Sequence, residues 1–96
     1  DSKKKENFLS KYLVEAIELT KSGAYEEALR LCKKIKSDNT QNALYFNVLG
    51  IIYRRLGLLK KSIMCSKRAL QIDKSLVAAK MNIANVELQK GEIEAS

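Results

Sequence analysis

Three of the four glycines in this 96-residue chain, Gly23, Gly57 and Gly91, lie 34 residues apart. The same spacing aligns other residues of similar kind. The aligned sets are Ala16, Gly50 and Ala84; Ala28, Ser62 and Ser96; and the apolar set Tyr25, Leu59 and Ile93. Self-similarity at one fixed period is typical of proteins built from stacked supersecondary units. The glycine spacing therefore predicts an internally repeated fold.

Within each period the apolar residues follow a helical pattern twice. In 7–22 they recur on one helical face, and Gly23 then supplies a residue that can adopt the left-handed conformation that ends a helix. A second stripe covers 25–35, and the polar run 37–42 after it contains candidate N-caps. The pattern predicts further helices near 43–56, 59–72 and 76–90, then Gly91 and a remnant of a sixth helix, with no strand. Segment 1–6 is expected to be a basic, solubilising N-terminal tail.

The second period carries the most specific motif. It reads Phe46-x2-Leu49-Gly50-x2-Tyr53, then Gly57, then Ser62-x3-Ser66. This pattern, with the 34-residue period, resembles the tetratricopeptide repeat. The first period departs from the family pattern at Glu15, and the third at Lys80 and Glu87. Thr40 and Lys74 stand where the family usually has a proline, which leaves the angle between repeats open.

The resemblance implies an all-α fold, an α-solenoid of antiparallel helical hairpins wound into a right-handed superhelix. About two and a half units fit the repeat domain 7–96, at 9–42, 43–76 and a truncated 77–96. The resemblance also implies a concave groove lined by the first helix of each unit. The residues expected to line this groove are Leu13, Ile17, Leu44, Asn47, Val48, Ile51, Arg55, Met81, Asn82 and Asn85. Lys21 and Arg54 are expected near its edge.

The expected groove is apolar in the first two units, and this favours an apolar or amphipathic partner segment. The same apolar residues could instead be core, because first helices are covered by their neighbours in such stacks. The sequence predicts a non-catalytic protein–protein interaction module that binds another protein or a segment of its parent chain. An alternative is the docking or regulatory portion of a larger transferase-type enzyme. A homodimer through the uncapped C-terminal end is also expected, because residues such as Leu88 lack a covering helix.

Composition argues against chemistry within this chain. It has no His, the usual general base and metal ligand, and Cys32 and Cys65 have no metal-site spacing. We therefore expect no catalytic residue, no metal and no cofactor. Two isolated cysteines suit a reducing compartment and predict a cytoplasmic protein. No apolar run is long enough to form a transmembrane segment.

The chain is basic, with a formal net charge of +7. The basic pairs fall on the predicted second helices, opposite their apolar stripes: Lys33-Lys34, Lys60-Lys61 and Lys67-Arg68. No RNA-binding motif or aromatic stacking platform accompanies them, so the sequence does not favour nucleic acid as a partner. Net charge of this size instead favours encounter with an acidic protein or an acidic membrane surface.

Overall fold

The computed structural model describes the backbone of residues 2–95 and the side chains of residues 11–95. Within that range the chain is helical, with no strand, as predicted. The helices are α1 (Ser2–Lys21), α2 (Tyr25–Lys34), a 3-10 helix (Lys36–Asp38), α3 (Ala43–Arg55), α4 (Leu59–Ile72) and α5 (Val77–Ala95). They form two compact units, Asp1–Thr40 and Gln41–Ser96.

In the first unit α1 packs against α2 across a three-residue turn. Gly23 in that turn has φ +88°, and the backbone N–H of Ala24 donates to Leu19 O at 2.9 Å. This closes the end of α1 through a left-handed glycine, as the sequence predicted. Ala16 on α1 and Ala28 on α2 are completely buried. Their small side chains allow the two helices to approach closely.

In the second unit α3 packs against both α4 and α5, and α4 packs against α5. The Asn42 side chain accepts from Tyr45 N at 3.3 Å and caps the start of α3. Gly57, with φ +81°, follows the end of α3, as Gly23 follows the end of α1 in the first unit. The buried apolar side chains of this unit include Tyr45, Ile52 and Val86.

In segment 1–6, expected to be a basic tail, the backbone is helical from Ser2 onward, while Asp1 and the side chains of 1–10 lie outside the described residues. The expectation of a sixth helix after Gly91 is wrong. Gly91 does not end a helix, because α5 continues through it to Ala95 and the described residues contain no sixth helix. A glycine inside a helix costs only about 1 kcal/mol relative to alanine, so it does not by itself stop one.

Across the described residues, no helix combines the length and the apolar character needed to cross a lipid bilayer.

Candidate binding site on α3 and α5

A buried hydrogen-bond network joins the three helices of the second unit. Asn82 of α5 donates through Nδ2 to Ser62 Oγ at 2.9 Å and to Ser66 Oγ at 2.7 Å, both on α4. Ser62 Oγ in turn donates to the carbonyl oxygen of Gly50 on α3 at 2.6 Å. Asn82 is only 2% exposed, and both serines are fully buried. The network satisfies polar groups that would be costly to bury alone.

Gly50 on α3 lies against groups of both α4 and α5. A Cβ at this position would lie 2.8 Å from Ser66 Oγ and 3.2 Å from the Ser62 carbonyl oxygen. The space beside Gly50 is therefore taken by the serine and asparagine groups of the network. Gly50, a member of the small-residue set aligned by the 34-residue spacing, therefore permits close packing here.

The same asparagine positions a cation at the surface. Arg54 of α3, half-buried, donates through Nε to Asn82 Oδ1 at 2.8 Å. A guanidinium held through Nε by a buried amide has a defined direction, and its planar group is suited to carboxylate recognition.

Next to Arg54 lies an open depression of about 190 Å³ between α3 and α5. Its walls are mostly apolar, with amide groups and the arginine on the polar side. The lining residues are Ile51, Arg54, Ala78, Met81, Asn82 and Asn85. This volume is below the roughly 300–1,000 Å³ of sites that enclose small-molecule ligands. It is suited to receive one or two side chains of a larger partner.

Four of the residues predicted for the groove line this depression together: Ile51, Met81, Asn82 and Asn85. Arg54, which the sequence placed at the groove edge, lines it as well. Of the other predicted residues in this unit, Leu44 and Arg55 are exposed but lie outside the depression. These residues come together where α3 meets α5, and their role in binding stays a prediction.

Four residues predicted for the groove are buried in this structure, and of these only Asn82 also lines the depression. Val48 is 5% exposed and Asn47 is 3% exposed, and Leu13 of the first unit is buried as well. The apolar Leu13 and Val48 therefore follow the alternative that the sequence left open, in which such residues are core. Ile17 of the first unit remains partly exposed. The Asn47 Oδ1 atom is buried without a hydrogen-bond partner in the described structure.

The sequence did not predict three residues of the site. Ala78 lines the depression, and Ser62 and Ser66 accept hydrogen bonds from Asn82. The signal for the serines was present in the sequence, because they occupy positions of α4 where the repeat pattern has an alanine and an aromatic residue. Two small hydroxyl residues four apart on a buried helical face require a partner such as an amide. Ala78 carries no comparable signal.

The basic side chains of α2 and α4 are largely exposed, as expected: Lys33, Lys34, Lys60, Lys61 and Lys67. Two cations on α4 contact rings of α3, with Lys61 5.6 Å from the Tyr53 centroid and Arg68 5.8 Å from that of Phe46. These contacts are cation–π interactions within the unit.

The loop before α5 contains a perturbed carboxyl group. Asp73 Oδ1 accepts from the Ser75 hydroxyl at 2.7 Å and from the Ser75 backbone N–H at 3.0 Å. These hydrogen bonds stabilise the ionised form and lower the pKa of Asp73. The pair forms a local turn and lies outside the depression. In the part of the chain that the structure describes, no three His, Cys, Asp or Glu residues are grouped to hold a metal ion.

No protein-family profile matches this chain, and no curated protein matches it in sequence.

Proposed function

We propose that this chain is a non-catalytic protein-binding module of the tetratricopeptide-repeat type, and that α3 and α5 present its binding site. The observation that carries the proposal is the depression itself, where apolar walls from Ile51, Ala78 and Met81 meet an oriented cation, Arg54. The equivalent left-handed turns at Gly23 and Gly57 support the repeat assignment, since they end the first helix of two successive periods.

The chemistry of the depression specifies the class of partner. An apolar side chain that enters it gains about 25 cal/mol for each Å² of apolar surface removed from water. A carboxylate beside that side chain can pair with the Arg54 guanidinium, and the net charge of +7 attracts acidic segments at longer range. The partner we propose is a protein segment in which an apolar residue is flanked by Asp or Glu.

The proposal is tested by selecting short displayed peptides on the purified chain and measuring the affinity of the selected peptides by fluorescence anisotropy. Enrichment of an apolar residue next to acidic residues is expected. Affinity for those peptides is expected to fall with added salt, because exposed charge pairs are screened. Peptides without acidic residues that bind equally well would contradict the role of Arg54.

Two variants locate the binding site. Ala78→Glu places a carboxylate at an exposed position on the wall of the depression, and we expect at least about a tenfold loss of affinity, or 1.4 kcal/mol. Lys60→Glu, exposed on α4 and outside the depression, is the control; it also adds a carboxylate and lowers the net charge by two rather than one, so it is the more severe test of general charge. Circular dichroism must show unchanged helicity for both. An equal loss of peptide affinity in the two variants would show that binding depends on net charge and not on the depression. A loss of affinity in Lys60→Glu alone would assign binding to the basic face of α4.

A further inference from the structure

Helix α5 is apolar on two opposite faces. One face, with Ala79, Asn82 and Val86, is buried against α3 and α4. The other face carries Val77, Met81, Ala84 and Leu88, and all four are exposed. The exposed fractions of the three large side chains are 62% for Val77, 60% for Met81 and 65% for Leu88. A helix with two apolar faces is suited to contact a second partner on the face that its own unit leaves open.

The exposed face, which we call the α5 stripe, consists of Val77, Met81, Ala84 and Leu88. Their spacings of four, three and four residues are those of a and d positions in a coiled coil, where apolar side chains meet another helix along one seam. The stripe also alternates in size, because the small Ala84 lies between the long side chains of Met81 and Leu88. Such a stripe fits a helix with the complementary order of large and small side chains.

The α5 stripe is complementary to itself when two copies run antiparallel. In that register Val77 faces Leu88 of the second copy. The long side chain of Met81 faces the small Ala84 of the second copy. A two-fold axis repeats both contacts, as a closed dimer requires. Four apolar side chains from each chain would be covered at once.

The charges that flank the stripe select the antiparallel direction. Lys80 and Glu87, both exposed, lie on the same side of the stripe, about one turn before and one turn after Ala84 respectively. In the antiparallel register Lys80 faces Glu87 of the second copy, and the two-fold axis makes this pair twice. In a parallel pairing Glu87 would instead face Glu92 of the other copy, and like charges in such positions are destabilising.

We propose that two copies of this chain associate through the α5 stripe as an antiparallel, two-fold symmetric helix pair. The stripe shares only Met81 with the binding depression, and neither Ala84 nor Leu88 lines it. Association is therefore separable by mutation from the partner binding proposed above.

The first experiment is sedimentation equilibrium over a wide range of chain concentration. A mass that rises toward twice the 10.8 kDa of one chain is expected. Leu88→Glu should raise the dissociation constant at least about 100-fold, because the dimer would have to bury an unpaired charge. Met64→Glu is the matched control, since Met64 on α4 is 70% exposed and lies away from the stripe. A wild-type chain that stays monomeric, or a dimer that Leu88→Glu leaves intact, overturns the proposal and assigns the stripe to another occupant or to none.

The second experiment tests the antiparallel register. Lys80→Glu places two glutamates opposite each other twice, and we expect the dissociation constant to rise by about tenfold. The double variant Lys80→Glu, Glu87→Lys restores both opposite-charge pairs and should return the constant to near the wild-type value. Failure of the double variant to recover association would overturn the antiparallel pairing. Circular dichroism of each variant verifies that α5 remains folded.

Discussion

The Nε atom of Arg54 on α3 donates to Oδ1 of Asn82 on α5 across 2.8 Å, so a partly exposed cation is held by a buried amide. The same amide uses its Nδ2 group to bind two serines on α4. One side chain therefore connects the packing of three helices with the electrostatics of the candidate binding site. Substitutions at and around this residue separate the two roles.

Asn82→Ala should lower the free energy of unfolding by about 2–3 kcal/mol, because it removes three hydrogen bonds and leaves Ser66 Oγ buried without this partner. Asn85→Ala is the control, since Asn85 lies on the same helix but is exposed. We expect it to stay within about 0.5 kcal/mol of wild type. Urea unfolding measures both, and equal values for the two variants would show that the network does not stabilise the fold.

Gly50→Ala should destabilise the chain by about 1–3 kcal/mol, because the added Cβ would lie 2.8 Å from Ser66 Oγ in a fully packed site. The same substitution at Gly91 should have the opposite sign. Gly91 is helical, with no atom within 4 Å of the added Cβ, and alanine there should stabilise by about 0.5–1 kcal/mol. Thermal unfolding of the two variants tests this contrast, and a gain from Gly50→Ala would contradict the close approach.

Gly57→Val should cost about 1 kcal/mol or more, because Gly57 has φ +81° and a β-branched residue resists the left-handed conformation. No atom lies within 4 Å of the Cβ position, so the cost isolates backbone strain from crowding. Gly23 has the same geometry, with φ +88° and open space, and Gly23→Val should lose a similar amount. An unchanged melting temperature in both variants would contradict the role of these turns.

Ser75→Ala should raise the pKa of Asp73 toward its ordinary value of 3.8, because it removes the hydroxyl that donates to the carboxylate. In the wild type the lowered pKa of Asp73 stabilises the folded state at pH values above the ordinary pKa of the carboxyl group. This contribution is lost as the pH falls through the lowered pKa of the folded state. Carbon NMR titration of the Asp73 carboxyl measures the shift. Identical titration curves for the two proteins would show that the Ser75 hydroxyl does not perturb the pKa of Asp73.

The helices were predictable because their limits have local causes. The predicted bounds of α4, 59–72, agree with the observed Leu59–Ile72, and α3 differs from its prediction only at the last residue. Both are delimited by a turn with a left-handed glycine or by a polar capping residue, and these act over a few residues. Gly91 shows the limit of such signals, because the same residue type within a favourable helical context is simply incorporated.

The site was predictable only in part, because burial depends on which elements cover a helix. Ile51 and Met81 were expected in a groove that the family resemblance implies, and they line the depression. Val48, one helical turn before Ile52, was placed with them but is buried. Val48 and Ile51 are three residues apart on one face of α3, so helical periodicity does not distinguish them, and burial depends on which neighbouring helix covers each residue. The Asn82 network could not be predicted without knowing which helices meet at Gly50.

The two apolar faces of α5 give the Asn82 network a further consequence. Judged by apolar area alone, α5 could dock on α3 and α4 with either face inward, and the two orientations would compete. Rotating the helix by half a turn would move Asn82 into water and leave Ser62 and Ser66 facing Val77, Met81 and Leu88. The amide thus favours one rotational orientation of α5 over the other, much as a single polar residue sets the alignment of a coiled coil. Specificity of docking, more than strength of docking, is what this buried amide contributes to the second unit.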